Sequence, residues 1–140
     1  MIRLIEHADY YKGMSDMISV KYGKQTIEYE EFVNRLNQMQ KEGTNYFIYE
    51  EDGKVVGFIK YILELKMSPD KKYMGHIEDL YVVDNMRNRG YGRSLTEYCF
   101  IFLKKNQCYK IVLDCSEELV PFYNKIGFYK QKVSLEYLNL

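Results

Sequence analysis

Four segments between Gly75 and Phe128 carry residue types that could do chemistry, in an order that a single site could use. Gly75-His76-Ile77-Glu78-Asp79 sets two carboxylates on a predicted strand. Arg87-Asn88-Arg89-Gly90-Tyr91-Gly92 is a glycine turn that opens a helix. Cys108-Tyr109-Lys110-Ile111-Val112-Leu113-Asp114-Cys115 is a second strand that ends in a carboxylate, and Phe122-Tyr123-Asn124-Lys125-Ile126-Gly127-Phe128 puts a tyrosine on a short helix. Carboxylates can hold an amine and manage its proton, and a tyrosine hydroxyl can donate a hydrogen bond. At a glycine turn before a helix, unsatisfied N–H groups and the helix dipole both favour a bound anion such as a pyrophosphate. Arg87, Arg89 and Arg93 add positive charge at the same place.

Taken singly, each segment also has a plainer use. Glu78 and Asp79 are adjacent on a strand, so their side chains should face opposite ways and at most one should enter a given site. A solvated strand edge would accommodate both. Asp114, shared with Ser116, could cap the following helix. Tyr123 lies on an apolar stripe and could be a core aromatic, and the glycine turn could be only a tight connection. A Rossmann dinucleotide site would need the glycine motif after the first strand, whereas three or four strands precede it here.

The elements that must position these groups can be read from periodicity. Ile2 to Ile5 forms a short strand and Ala8 to Ser19 a weakly patterned helix that Gly23 ends. A second helix carries Tyr29, Phe32, Val33, Leu36 and Met39 on one face, with Gly43 as its stop. Strands at Tyr46 to Glu51 and at Lys54 to about Lys66 flank Asp52-Gly53, a pair suited to a two-residue hairpin turn. Ile59, Tyr61, Leu63 and Leu65 share one face of the second of these. After Ser68-Pro69-Asp70 a third strand runs from about Tyr73 to Val83. The helix after Gly90 should bury Tyr91, Leu95, Cys99, Phe102 and Leu103. Ile111 to Leu113 reads as a strand buried on both faces. A short helix carries Leu119, Phe122, Tyr123 and Ile126, with its start left open because Val120 precedes Pro121. Phe128 to about Leu138 reads as a last strand. The order is β-α-α-β-β-β-α-β-α-β, one α/β domain over residues 1–140 with a mixed central sheet flanked by helices.

Composition narrows the field. The 140 residues suit one domain with a real core. Twenty basic and twenty acidic residues cancel and no strongly basic stripe of the kind nucleic-acid binding requires appears in the sequence, so no nucleic-acid partner is expected. No apolar run is long enough to cross a bilayer and no signal peptide is visible, so no membrane partner and a cytoplasmic location are expected. Three cysteines, Cys99, Cys108 and Cys115, in no metal-like spacing read as reduced thiols. With two histidines in the chain, no metal site is expected.

In order and spacing the four segments resemble the GNAT superfamily of acetyl-CoA-dependent N-acetyltransferases. Within it, Gly-His-Ile-Glu-Asp, the Cys108–Cys115 strand and Phe-Tyr-x-Lys-x-Gly-Phe resemble the glucosamine 6-phosphate N-acetyltransferases. The resemblance spans essentially the whole chain and implies the GNAT fold. It implies acetyl transfer from acetyl-CoA, as co-substrate, to the amine of glucosamine 6-phosphate, by direct attack in a ternary complex. The product, N-acetylglucosamine 6-phosphate, belongs to UDP-N-acetylglucosamine biosynthesis.

Residue by residue, the resemblance implies that Leu80, Tyr81 and Val82 offer strand backbone to the pantetheine arm. Arg87, Asn88, Arg89, Gly90, Tyr91, Gly92 and Arg93 would bind the pyrophosphate, with Asn88 where a further glycine is common. Glu78, Asp79, Leu80 and Asp114 would hold the sugar and its amine, Asp114 nearest the amine. Tyr123 would hydrogen-bond the sulfur as it departs. Its reference pKa of about 10 against about 8.5 for a thiol favours stabilisation over full proton transfer. Lys66, Tyr109 and Lys110 would sit near the phosphate. A homodimer is also implied, with Phe128 to Leu138 exchanged or packed across the interface. Four positions depart from the family pattern: Val20, Pro69, Leu119 and Leu138 stand where a substrate threonine, a phosphate-loop histidine, a CoA-contacting asparagine and a phosphate-binding arginine are usual. These leave room for a GNAT acting on another small-molecule or protein amine. A non-catalytic CoA-binding module is the third alternative, disfavoured by the retention of Glu78, Asp114 and Tyr123.

Overall fold

The computed structural model describes residues 1–23 and 25–139. Five strands form one sheet in the spatial order of the sequence: β1 (Ile2–Leu4), β2 (Thr44–Glu51), β3 (Lys54–Leu65), β4 (Tyr73–Val82) and β5 (Cys108–Leu113). The first four pair antiparallel, and β4 pairs parallel with β5. A parallel neighbour requires a crossover, here the helix α3 (Tyr91–Lys105). The β2–β3 hairpin turns on Asp52 and Gly53 at φ 52° and 77°, the left-handed pair that a tight hairpin needs.

Two apolar layers cover the sheet. On one face, α1 (Met14–Tyr22) and α2 (Tyr29–Lys41) pack Met14, Met17, Phe32 and Leu36 against Ile48 and Phe58. On the other, α3 packs Leu95, Cys99 and Leu103 against Phe47, Ile59, Tyr61, Ile77 and Val82. Gly75 allows that approach: a Cβ there would lie 3.1 Å from the Leu103 side chain and 3.2 Å from Cys108 Sγ. Thr96, also fully buried on α3, satisfies its hydroxyl by donating to the Gly92 carbonyl at 2.8 Å.

The expected first helix, Ala8 to Ser19, is instead two pieces, a 3-10 helix His7–Lys12 and α1, separated by Gly13 at φ 107°. The cause is Asp9. Its fully buried carboxylate takes both arms of the Arg3 guanidinium, at 2.7 and 2.9 Å, and the Glu6 N–H at 2.7 Å. That pair anchors the first piece to β1, and the left-handed glycine lets α1 start in a new direction.

Three further expectations are corrected. β5 is half-buried rather than buried on both faces, because the α3 layer covers the face of Ile111 and Leu113 while Val112 on the other face lines a cavity. Phe128 to Leu138 pairs with no strand, and Val133, Leu135 and Tyr137 are 87%, 92% and 88% exposed. A strand needs a partner edge, and α4 (Val120–Asn124) is followed by a chain that meets none here. Val120 itself takes helical angles, φ −54° and ψ −46°, despite preceding Pro121.

Candidate active site

The site is made by two irregularities in β4. The first is a bulge. Phe58 pairs with Tyr81 and Lys60 with Glu78, so β4 spends one residue more than β3 over this stretch. Asp79 takes the strain in the left-handed region at φ 55°, which Asp tolerates better than most side chains. An extra residue inverts the alternation of faces. Ile77 faces α3 before the bulge, and Leu80 and Val82 do so after it. Glu78 and Asp79 are thereby both turned away from α3. The expectation that adjacent carboxylates face opposite ways is overturned at this point: Lys60 Nζ lies 3.1 Å from Glu78 Oε2 and 3.0 Å from Asp79 Oδ2.

The second irregularity is a splay. Pairing of β4 with β5 stops at Ile77 and Leu113, while β4 stays paired with β3 as far as Val82 and Gly57. Among the described residues, the β4 backbone from Glu78 to Val82 therefore has no strand neighbour on the β5 side. The side chains of Leu80 and Val82 pack into the α3 layer and Tyr81 into the other, so these three offer backbone to that open edge.

Where the strands part, a cavity of about 400 Å³ is lined by Glu78, Asp79 and Asp114, together with Lys21, His76 and Val112. Three of the expected carboxylates are thus brought together. A larger cavity of about 900 Å³ shares Asp79 and runs between α1, α2 and the sheet over Met14, Ile18, Phe32 and Leu36. Tyr22, Tyr46 and Lys60 stand at their junction. Tyr22 donates its hydroxyl to Asp79 Oδ2 at 2.7 Å and lies 3.3 Å from the Tyr46 hydroxyl. Burial opposes ionisation of Asp79, but hydrogen bonds from Tyr22 and Lys60 outweigh it and hold the carboxyl below its ordinary range. Burial likewise opposes the Lys60 charge, and the two carboxylates reverse that effect and raise its pKa. Lys60, Tyr22 and Tyr46 were not read from the sequence as site residues; a lysine in the middle of an apolar strand was the available signal.

The glycine turn follows β4. Asn88 and Gly90 are left-handed at φ 64° and 86°, and Asn is among the residues that accept that region. No side chain caps α3, so the N–H groups of its first turn remain as donors. A Cβ on Gly90 would project into open space, and one on Gly92 would lie 3.6 Å from Leu80. This cradle fits an anionic group carried along the open β4 edge. The arginines are less free than expected. Arg87 donates to the Val82 carbonyl at 2.9 Å and pairs with Asp84, and Arg93 pairs with Glu97. Among the described residues, Arg89 hydrogen-bonds to Met86 Sδ alone. Tyr91 turns its ring onto Tyr49 and its hydroxyl to Glu51, leaving its backbone to the turn.

The remaining expected residues lie outside the smaller cavity. Tyr123, on α4, is 8% exposed and packs edge-on against Phe122 and Phe128, and burial raises its pKa. Lys66 is engaged by Glu64 at 3.2 Å, and Glu64 also holds His76 Nε2 at 2.8 Å. Tyr109 and Lys110 are exposed at the start of β5, where the Lys71 ammonium lies 5.5 Å above the Tyr109 ring.

A parallel splay beside a bulged strand, with a glycine turn at the mouth and carboxylates in the cleft, defines a site for joining an anion-carrying donor to a cationic or amine acceptor. The chain belongs to the acetyltransferase (GNAT) family, whose pattern it matches over residues 9–128. It is 30% identical over 137 residues to glucosamine 6-phosphate N-acetyltransferase 1 of Dictyostelium discoideum, covering 95% of this chain and 87% of that protein. It is 35% identical over 101 residues to the glucosamine 6-phosphate N-acetyltransferase of Trypanosoma brucei brucei, covering 70% of this chain and 68% of that one. Among solved structures, glucosamine-6-phosphate N-acetyltransferase from Arabidopsis thaliana superposes with a TM-score of 0.91 at 27% identity, over 99% of this chain and 97% of that one.

The bulge makes a specific demand at position 79. Asp79→Gly should keep the fold, since glycine takes a positive φ without penalty. Asp79→Val should destabilise it by a further 1–2 kcal/mol or about that, because a β-branched side chain is poorly accommodated there. Urea unfolding of the two variants checks this, and equal stabilities would remove the bulge as a constraint.

Proposed function

We propose that the chain, working as one domain, transfers the acetyl group of acetyl-CoA to the amine of glucosamine 6-phosphate, giving N-acetylglucosamine 6-phosphate for UDP-N-acetylglucosamine biosynthesis in the cytoplasm. The observation that carries the reading is the convergence of Glu78, Asp79 and Asp114 in one cavity at the foot of an open strand edge. The names of the relatives support the sugar phosphate as acceptor. Acetyl-CoA supplies the activated thioester; the chain's own residues bind, orient and move protons. First-turn N–H groups of α3, with Arg89, take the pyrophosphate, and the β4 backbone from Leu80 to Val82 takes the amide-bearing arm. An N–H on that edge polarises the thioester carbonyl as the amine attacks.

Asp114 and Glu78 meet the amine and receive its proton directly or through water. Tyr123 donates a hydrogen bond to the departing sulfur. Lys110 lies on β5 and Asp114 just past its end, four residues on, a span of roughly 13 Å in extended chain. A lysine side chain that bends inward spans the rest of a sugar phosphate. The exposed alternation of Val133, Leu135 and Tyr137 supports a homodimer in which Phe128 to Leu138 packs on the partner.

In a free-thiol assay glucosamine 6-phosphate should be acetylated far faster than glucosamine, and equal rates would remove the phosphate assignment. Tyr123→Phe should lower kcat on the order of 10²-fold with acetyl-CoA affinity and circular dichroism unchanged, as for loss of one transition-state donor. An unchanged kcat makes Tyr123 a core aromatic. Light scattering at micromolar concentration should give twice the chain mass, and a monomer would count against the packed tail.

A further inference from the structure

The cavity as built from carboxylates alone has a chemical defect. An alkyl amine is protonated near neutral pH, and a protonated amine has no lone pair for attack. Glu78, Asp79 and Asp114 together would hold the ammonium form firmly and so suppress the nucleophile. Lys60 corrects this imbalance. Its side chain is 18% exposed, its ammonium lies within 3.1 Å of both bulge carboxylates, and it lines the larger cavity beside Asp79, which the two cavities share.

We propose that Lys60 is a positioning residue which, through Glu78 and Asp79, weakens the site's grip on the protonated acceptor so that the neutral amine is the form held for attack. This rests on the acceptor cavity assigned above. Lys21 also lines the smaller cavity and its charge lowers the pKa of the Asp79 carboxyl. Among the described residues, however, it forms no ion pair with Glu78 or Asp79, which Lys60 contacts directly, and His76 in the same cavity is bound by Glu64. Tyr46, its cross-strand neighbour on β2, and Tyr22 from α1 are phenols that remain neutral. Lys21 and Asp114 border the smaller cavity, and Glu28, Glu31 and Arg35 of the α2 side border the larger. Bracing of the bulge alone would not require a cation, because the Tyr22 hydroxyl already binds Asp79 Oδ2.

The test is the pH dependence of kcat for Lys60→Met, Lys60→Arg and Tyr22→Phe, each checked for fold by circular dichroism. It uses the amine that the wild type acetylates best in a panel including glucosamine 6-phosphate. Removing the positive charge should move the acid limb of kcat upward on the order of one pH unit, as expected for one charge at this range. Below that limb kcat falls about tenfold, while KM for the acceptor does not rise. Lys60→Arg should keep the wild-type limb. Tyr22→Phe loosens the bulge without changing its charge and should leave the limb in place.

Coincident limbs for Lys60→Met and the wild type would overturn the proposal. So would a Tyr22→Phe or Lys60→Arg limb displaced as far as that of Lys60→Met, since the effect would then be structural. If Lys60→Met does not fold, Lys60→Gln reads the same shift. A best acceptor other than glucosamine 6-phosphate would remove that substrate and leave the Lys60 result readable.

Discussion

β4 has to satisfy two neighbours that leave it at different points, and the site exists because it does so with one extra residue. β3 follows it to Val82, while β5 leaves after Ile77. If β4 were regular across that step, Ile77 and Asp79 would both face α3, and a carboxylate would enter the layer built by Leu95, Cys99 and Leu103. Burying an unpaired carboxylate there would cost several kcal/mol. The bulge instead hands the α3 face to Leu80 and Val82 and turns Glu78 and Asp79 outward together. Core packing and carboxylate placement are thus two consequences of one backbone irregularity.

The irregularity is held by charge as well as by packing. Asp79 sits in a disfavoured backbone region and is bound by Lys60 and the Tyr22 hydroxyl. Burial raises the carboxyl's pKa, and those partners lower it below the ordinary 3.8. A carboxylate depressed in the folded state contributes stability that is present above its unfolded pKa and is lost as pH falls through the folded one. The bulge is therefore held at neutral pH and loosens only in acid. Asp9 follows the same rule beneath the 3-10 helix: burial opposes its charge, and the Arg3 fork and the Glu6 N–H prevail.

Much of this was legible in the sequence, and the misses share a cause. Five of the six expected strands, α2, α3 and the hairpin turn rest on local periodicity or glycine placement, and each lies within a few residues of its expected bounds. Glu78 and Asp79 were read as opposed because strand alternation is a rule about regular strands; nothing local in Gly-His-Ile-Glu-Asp-Leu marks an added residue. Lys60 was passed over because its partners are 18 and 19 positions away and meet it only through register. The break at Gly13 required knowing that Asp9 would be tied to Arg3. The tail from Phe128 alternates as a strand should, but alternation states a preference and does not supply an edge to pair with.

Registers across β3, β4 and β5 place Lys60, Glu64, His76, Glu78 and Lys110 on one face, opposite α3, and Asp114, just past the end of β5, lines the same cavity as Glu78. The chain's zero net charge conceals an order within that face. Glu78, Asp79 and Asp114 gather where the strands part, around Lys60, and the basic groups Lys66, Lys71 and Lys110 gather at the opposite end of β4 and β5. Glu64 offsets part of the second group by binding Lys66 and His76. A ligand with a cationic end and an anionic end meets opposite potentials across this face, so one orientation is favoured and the reverse is opposed at both ends. Under the function proposed above, that polarity would favour an amine and an acid group carried at a distance on one small molecule over a polycation or a plain amine. It follows from strand register and not from any single motif.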